Sequence, residues 1–249
     1  MDPIEVENLT MAYGNNVVMQ DLNFTIKAGE IFIIMGGSGC GKSTLLRHLI
    51  GLQTPAAGTI KLLGKSLNDA VPVERDALLR RVGVMYQGGA LWSSMTLLEN
   101  VMLPIEEYSE LSPKEARELA SYKLSLVGLA GTEDYYPAEI SGGMIKRASI
   151  ARALALDPEI LFFDEPGAGL DPLSSKRLDD LIKSIRDSLG TSIVIVTHEL
   201  DSIFAVGDRA LYLDIKTKTT GALDNPYTLL KNPPSEAIYE FLTRAGSKK

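Results

Sequence analysis

The sequence predicts an α/β domain in which a parallel sheet is interrupted by a helical insertion. Short apolar runs typical of buried strands alternate with segments of helical periodicity in both halves of the chain. Between about residues 88 and 157 the strand signal fades and helical periodicity dominates. With 249 residues and 45% hydrophobic content, the chain can bury a full core, so we expect one domain over residues 1–249.

The first half of the chain is rich in predicted strands. Four of its segments have strand patterns: residues 4–13, 23–27, 30–36 and 58–64. A turn is predicted at Gly14-Asn15-Asn16, between the first two of these segments. Residues 42–52 predict a helix that ends near Gly51.

The second half resumes the alternation after the helical insertion. Within the insertion, residues 112–129 have helical periodicity, with Pro113 near the start of the helix. Strands return at residues 159–165 and 192–198, and a helix over residues 172–189 separates them. A short tail from about residue 225 to 249 contains a last predicted helix at residues 235–242.

Charge and composition exclude several classes of protein. The formal net charge is -7 and the pI is about 5.0, so a general electrostatic grip on nucleic acid is not expected. The basic pairs Arg80-Arg81 and Lys146-Arg147 are interpreted as solvated helix faces. The single cysteine, Cys40, cannot form an internal disulfide, which agrees with a reducing compartment.

The apolar segments do not predict a membrane protein. The start of the chain lacks a basic n-region and an apolar core, so no secretory signal is predicted. The longest apolar runs fall far short of the roughly 20 residues that span a bilayer. We therefore expect a chain that is soluble by itself.

A phosphate-binding loop is the most specific motif. Residues 36–44, GGSGCGKST, match the pattern G-x-x-x-x-G-K-[ST] between a predicted strand and a predicted helix. Glycines let backbone amides close around phosphate oxygens, Lys42 reaches the β- and γ-phosphates, and the Ser43 hydroxyl coordinates Mg²⁺. The candidate nucleotide-binding residues of this loop are Gly36, Gly37, Ser38, Gly39, Cys40, Gly41, Lys42, Ser43 and Thr44. By itself the motif leaves kinases, GTPases and motor-type ATPases as alternatives.

Cys40 lies inside this loop at a helix N-terminus. The helix dipole and Lys42 are expected to lower the pKa of its thiol, so that a thiol reagent would block nucleotide binding and Mg-ATP would protect. The alternative is an inert small side chain that fills space.

Two carboxylates and a histidine follow the strands of the second half. Asp164 and Glu165 end an apolar strand, where Asp164 can hold Mg²⁺ through water and Glu165 can take a proton from the attacking water. His198 ends the next strand and is expected at the same edge of the sheet, within reach of the γ-phosphate. This combination favours an enzyme that hydrolyses a nucleoside triphosphate.

A second glycine loop raises a separate question. Residues 140–144, ISGGM, precede a predicted helix over residues 144–156, and bare amides at a helix N-terminus attract anions. The chain already has a better phosphate loop about a hundred residues earlier, so one cradle is left without an obvious ligand.

Together these motifs resemble those of the ATP-binding-cassette family over nearly the whole chain. Four further features match the family's motifs in the correct order: Tyr13 as the aromatic that stacks on adenine, Gln87 as the Q-loop, Ser141, Gly142 and Gly143 as the signature loop, and Asp171 as the D-loop. The resemblance implies a P-loop NTPase fold with an N-terminal β subdomain and a helical insertion. It implies ATP and Mg²⁺ as cofactors, with Ser43, Gln87 and Asp164 as metal ligands.

The resemblance also implies an answer to the question of the second cradle. In that family two nucleotide-binding domains pack head to tail, and each ATP lies between the P-loop of one and the signature loop of the other. Because this chain has one of each, a homodimer is implied, in which Ser141 and Gly143 bind the γ-phosphate in trans. Glu165 then activates water, and His198 and Gln87 position it.

The segment after Gln87 resembles one subfamily in particular. Residues 86–105 and Met144, where most members have glutamine, are similar to the Mla-type ATPases that drive phospholipid or other hydrophobic traffic. This resemblance implies an integral membrane permease, a periplasmic Mce-domain partner, and a location on the cytoplasmic face of the inner membrane. The alternative is the ATPase of another importer or exporter with different cargo.

Two other classes fit the sequence less well. A soluble cassette of the DNA-repair or translation type would need a long coiled coil or a second cassette, and neither is predicted. A non-catalytic nucleotide-binding scaffold would normally have lost Glu165 or His198, and the chain has both.

Trp92, the only tryptophan, is a candidate contact for the permease. In the family that this chain resembles, the segment after the Q-loop and the helical insertion form the groove that receives a short permease helix. Trp92 lies in a predicted loop between glycines and serines, where a large aromatic side chain is suited to an interface.

Overall fold

The computed structural model describes residues 2–244, which form two sheets and two apolar cores. Within these residues the chain forms ten strands: β1 (Ile4–Tyr13), β2 (Asn16–Ile26), β3 (Ile31–Met35), β4 (Ala57–Leu62), β5 (Lys65–Ser66), β6 (Val82–Met85), β7 (Ile160–Asp164), β8 (Ser192–Val196), β9 (Arg209–Asp214) and β10 (Thr219–Asp224). The same residues form nine α-helices: α1 (Lys42–Leu49), α2 (Pro72–Leu79), α3 (Leu97–Tyr108), α4 (Pro113–Leu126), α5 (Gly142–Ala153), α6 (Pro172–Leu189), α7 (Leu200–Val206), α8 (Pro226–Lys231) and α9 (Glu236–Thr243).

The larger sheet is the centre of the fold. Its strand order is β10-β9-β3-β8-β7-β6, and every neighbouring pair from β9 to β6 is parallel, whereas β10 pairs antiparallel with β9. All five residues of β3 are buried, as expected for a parallel strand that is covered on both faces. The predicted parallel α/β sheet is therefore confirmed.

The smaller sheet is antiparallel and has the order β2-β1-β4-β5. An apolar core fills the space between the two sheets around α1, and the Phe24 and Phe32 rings stack there at 5.6 Å between centroids. β2 begins at Asn16, the last residue of the predicted turn, and is longer than the predicted segment.

The second core lies on the other face of the larger sheet, against the helices that follow β6. Capping boxes begin α3 at Thr96 and Glu99 and α4 at Ser112 and Glu115, which fixes where these helices start. Helices thus fill the region predicted to be helical, although the proposed limits of 88 and 157 stay a prediction.

Several elements have no counterpart among the predicted segments. They are the strands β6, β9 and β10 and the helices α2, α7 and α8. The helix predicted at residues 172–189 is confirmed as α6, and the last predicted helix is α9. The end of the predicted tail, residues 245–249, lies outside the described residues. No helix between residues 2 and 244 is long and apolar enough to cross a bilayer.

Candidate nucleotide-binding site

Parallel strand order brings the predicted motifs to one edge of the larger sheet. The phosphate loop follows β3, His198 lies two residues beyond the end of β8, and Asp164 ends β7. Gln87 lies two residues beyond β6, which is the next strand along. Since β3, β8, β7 and β6 are consecutive neighbours, their carboxyl ends meet at one crevice, the usual location of a ligand in an open α/β sheet.

The phosphate loop forms an open cradle at the start of α1. Gly41 caps the helix in a left-handed conformation with φ of 96°, and no side chain caps the first turn, so its amide groups remain available to an anion. Gly36 has φ of 148°, and a Cβ atom there would lie 2.8 Å from the Leu213 carbonyl oxygen. Lys42 Nζ donates to the carbonyl oxygens of Gly36 at 2.9 Å and Gly37 at 3.1 Å. These features fit a triphosphate.

Glu165 and His198 form the closest pair of ionisable groups at this edge. His198 Nδ1 lies 2.7 Å from Glu165 Oε1, whereas Glu165 Oε2 is buried and has no hydrogen-bond partner among the described residues. Glu165 is in the left-handed region with φ of 48°, which is strained for a residue with a side chain. Its amide donates to the Val196 carbonyl oxygen at 2.8 Å. The free carboxylate oxygen fits a proton acceptor.

Asp164 supplies the negative charge that a divalent cation requires. Burial raises the pKa of its carboxyl group, and the Glu165 charge raises it further, while Arg47, Lys42 and Lys146 act in the opposite direction. A cation bound beside two neighbouring carboxylates would relieve their repulsion. Ser43 is exposed in the first turn of α1, where its hydroxyl oxygen can also serve a cation. This donor set therefore fits Mg²⁺, which prefers oxygen ligands.

Tyr13 and Gln87 border the crevice. Tyr13 ends β1, is 47% exposed, and its hydroxyl group is paired with the Gln53 side chain. Gln53 follows α1, so the ring lies beside the helix of the phosphate loop. Hydrogen bonding to Thr44 and to Gln53 lowers the pKa of the Tyr13 hydroxyl. Gln87 is exposed after β6.

The signature loop begins α5, away from the phosphate loop. Ser141 is the N-cap of α5, and its Oγ accepts a hydrogen bond from the Met144 amide at 3.3 Å. A Cβ atom on Gly143 would lie 4.0 Å from Ser174 in α6, while nothing lies within 4 Å of such an atom on Gly142. Across residues 2–244, no hydrogen bond joins this loop to the phosphate loop, so the chain presents two separate anion cradles.

Asp171 has a structural role in this conformation. It is the N-cap of α6, and its Oδ1 accepts from the amides of Leu173 at 3.0 Å and Ser174 at 3.1 Å. Its predicted contact with nucleotide stays a prediction.

Residues 19–168, more than half of the chain, match the family model described as ABC transporter. The chain belongs to the ABC transporter family.

Three relatives show which members of the family it is similar to. The "Probable ribonucleotide transport ATP-binding protein mkl" of Mycobacterium tuberculosis is 42% identical over 206 residues, which are 83% of this chain and 57% of that protein. MlaF of Haemophilus influenzae, an "Intermembrane phospholipid transport system ATP-binding protein", is 38% identical over 83% of this chain and 78% of the relative. FbpC of Brucella abortus, a "Fe(3+) ions import ATP-binding protein", is 37% identical over 98% of this chain and 67% of the relative. The chain therefore spans less than two thirds of the mycobacterial relative.

A solved structure supports the same assignment. The ATP-binding cassette MJ0796, a dimer in a post-hydrolysis state bound to ADP and Pi, superposes with a TM-score of 0.80 at 30% identity. The match covers 89% of this chain and 98% of that one. The chain is thus an ABC transporter ATPase domain with the fold that the sequence predicts.

The environment of Lys146 differs from the one that the sequence predicts. The pair Lys146-Arg147 was interpreted as a solvated helix face, but Lys146 is 7% exposed and Arg147 is half-buried. Lys146 Nζ donates to the main-chain oxygens of Gln87 and Glu165, whereas Arg147 donates to those of Val127 and Gly128. Arg80 and Arg81 are exposed as expected, but they lie in the turn after α2 and not on a helix face, and Arg81 pairs with Glu159 at 2.5 Å. Two adjacent basic residues carry no periodicity that would distinguish these cases.

The burial of Cys40 contradicts a second prediction, which concerns the pKa of its thiol. Its side chain is 1% exposed and belongs to the core between the sheets, so burial raises the pKa of the thiol, and the opposing effect of Lys42 is smaller. The expected low pKa is wrong, and only the backbone of Cys40 remains a candidate for phosphate binding. The effect of burial exceeds the effect of Lys42 because the Cys40 side chain lies in the apolar core beneath the loop.

We expect Cys40 in the native ABC domain to react slowly with a thiol reagent, because the thiolate is scarce and the sulfur is covered. The measurement is the rate of alkylation by iodoacetamide at neutral pH, compared with the rate for the urea-unfolded chain. A native rate equal to the unfolded rate would show that the thiol is accessible.

Proposed function

We propose that this chain is the ATP-hydrolysing subunit of an ABC transporter and works as a homodimer. The observation that carries the proposal is the position of Glu165, whose carboxylate is paired with His198 at 2.7 Å beside the phosphate loop of a nearby strand. A carboxylate with one anchored oxygen and one free oxygen suits a general base whose orientation is fixed.

ATP is held by the phosphate loop and by Tyr13. The loop amides and Lys42 bind the phosphates, while the exposed Tyr13 ring offers a stacking surface for adenine. Ser43, Gln87 and Asp164 would hold Mg²⁺, which when bound neutralises charge on the β- and γ-phosphates.

Hydrolysis depends on positioning water. Glu165 Oε2 accepts a proton from the water that attacks the γ-phosphate, and His198, bound to the other oxygen, keeps the carboxylate in place. Gln87 orients the water from the side of β6. Each group lies at the end of a strand, so the packed sheet holds their relative positions.

The second cradle serves the ATP of a partner copy. Ser141, Gly142 and Gly143 bind its γ-phosphate with free amides at the start of α5, and the separation of this loop from the phosphate loop of the same chain supports binding in trans. Two chains of net charge -7 repel each other, so ATP bridges would draw the dimer together and hydrolysis would release it.

Lipid or another hydrophobic molecule is the cargo that we favour. The similarity to MlaF, an intermembrane phospholipid transport protein by its name, supports it. With this cargo we propose an inner-membrane permease, a Mce-domain partner and a place on the cytoplasmic membrane face. The alternative, an importer or exporter of different cargo, is supported by the similarity to FbpC and mkl. Purifying the tagged chain from solubilised membranes, then identifying the proteins and lipids bound to it, separates these alternatives.

A groove beside the Q-loop is the proposed docking site for a permease helix. It has a volume of about 730 Å³ and lies between α2, β6, α3 and α5. Tyr86, Leu103, Pro104 and Tyr108 give it an apolar lining, and Arg80 and Glu107 add charge. Such a surface fits an amphipathic helix.

Trp92 lies outside the lining of this groove but remains a candidate anchor. Its side chain is 58% exposed, and its loop is fixed by the buried Asn100 side chain, which accepts from the Trp92 amide at 2.7 Å. The Asn100 amide group donates to the carbonyl oxygens of Trp92, Met95 and Thr96. A large aromatic side chain on a rigid loop loses little entropy on binding.

Glu165→Gln should nearly abolish ATP hydrolysis while ATP binding stays intact, because the variant removes the proton acceptor and keeps the shape. In ATP the variant should persist as a dimer. The measurements are steady-state phosphate release and size-exclusion chromatography with and without ATP. Turnover close to the parent rate would mean that Glu165 is not the base.

Trp92→Ala should weaken assembly with the permease by about 2 kcal/mol. Leu103→Asp should weaken it too, because it places a charge in the apolar groove. Pull-down of the permease from solubilised membranes measures both, and Tyr239→Ala on α9, where the ring is 48% exposed, is the control.

Melting temperature separates docking from folding in this comparison. If Trp92→Ala lowers the melting temperature, Trp92 belongs to the core. If the variant is stable and its pull-down is unchanged, Trp92 is not the anchor for the permease. If Leu103→Asp is also stable and binds normally, the groove is not the docking site.

A further inference from the structure

Lys146 is a buried cation in α5, five residues after the N-cap Ser141. Burial lowers the pKa of its ammonium group, while Glu199, Glu165 and Asp164 act in the opposite direction. A buried charge is costly unless it is paired and hydrogen-bonded. The contacts that it makes therefore need a specific explanation.

Its two hydrogen bonds join two segments of the catalytic edge. Nζ donates to the Gln87 carbonyl oxygen after β6 and, at 3.4 Å, to the Glu165 carbonyl oxygen after β7. The Glu165 oxygen also accepts from the Ala168 amide at 3.2 Å. One side chain of the signature helix thus contacts the main chain of both residues that we propose to act on water.

Two other residues on the same face of α5, Ser149 and Arg152, contact the Q-loop residues Gly89 and Ala90 and not Glu165. Arg152 donates to the carbonyl oxygens of Gly89 at 2.9 Å and Ala90 at 2.7 Å. A Cβ atom on Gly89 would lie 2.6 Å from Ser149 Oγ, so the loop rests directly on α5. Among these three side chains, spaced at helical intervals, Lys146 alone reaches Glu165.

The backbone conformation of Glu165 requires restraint by its surroundings. Its left-handed conformation, with φ of 48°, persists only if surrounding contacts determine it. The Val196 carbonyl fixes its amide and Lys146 binds its carbonyl oxygen, so the residue is restrained on both sides.

We propose that Lys146 is a positioning residue for ATP hydrolysis, which holds the main chains of Gln87 and Glu165 in register with the signature helix. This inference rests on the proposed function, because it takes Glu165 as the base and Gln87 as the group that orients water. Among the described residues Lys146 makes no hydrogen bond to the phosphate loop, so its loss should affect turnover rather than ATP affinity.

The test compares Lys146→Met, which keeps a long side chain without donors, with Lys146→Arg, which keeps charge and donors. Lys176→Met, the same change at an exposed position of α6, is the control. For each chain we would measure kcat and KM for ATP, Kd for a fluorescent ATP analogue, and Tm. A small displacement of catalytic groups lowers rates by about tenfold to a hundredfold.

In Lys146→Met, kcat should fall by about tenfold to a hundredfold, while Kd and Tm stay near those of Lys176→Met. In Lys146→Arg, kcat should stay much closer to the parent value. Parental kcat in Lys146→Met would overturn the inference. So would a parallel loss of kcat, affinity and Tm that arginine does not rescue, since that pattern indicates a purely structural lysine. If Lys146→Met does not fold, Lys146→Leu, which also lacks hydrogen-bond donors, takes its place in the same comparison.

Glu165→Gln, assayed alongside, separates this inference from the proposed function. If Glu165→Gln is inactive and Lys146→Met is fully active, only the role of Lys146 is wrong. If Glu165→Gln is active, the assignment of the base is wrong as well.

Discussion

Parallel pairing of β3, β8, β7 and β6 is the constraint on which the candidate site depends. Each strand is short and apolar, and each ends where a functional segment begins. A shift of one residue in register would turn every side chain of the shifted strand to the opposite face of the sheet and separate Glu165 from His198. The apolar cores on both faces of the sheet fix this register, so core packing also determines the geometry of the site.

Helix α5 links that edge to the second cradle. Its first turn presents Ser141 and Gly143, while Lys146 and Arg152 hold the Q-loop on the side facing the sheet. A movement of the Q-loop would therefore be passed to the signature loop through hydrogen bonds within one rigid helix. In the proposed dimer, this connects the state of one ATP to the completion of the other site.

Local patterns predicted the parts of the site that depend on backbone chemistry and strand order. The phosphate loop, the Asp164-Glu165 pair and helix α6 each have a signature within a few adjacent residues, and the parallel sheet follows from their alternation. The burial of Lys146 depends on where α5 packs, and the burial of Cys40 depends on which way a loop side chain turns. Neither has a local signature. β9 and β10 were missed because each has only six residues, β9 has charged residues at both ends, and β10 begins with polar residues and a glycine.

The central claim is that the two anion cradles of one chain serve two different ATP molecules. Lys42→Ala disables the phosphate loop, and Gly142→Asp places a carboxylate in the signature loop at a position with room for a side chain. Each variant alone should be inactive as a homodimer. Mixed after dissociation, they can form a heterodimer with one intact composite site, so ATP turnover should return well above that of either variant. If the mixture stays as inactive as its components, each ATP site lies within a single chain and the account is wrong.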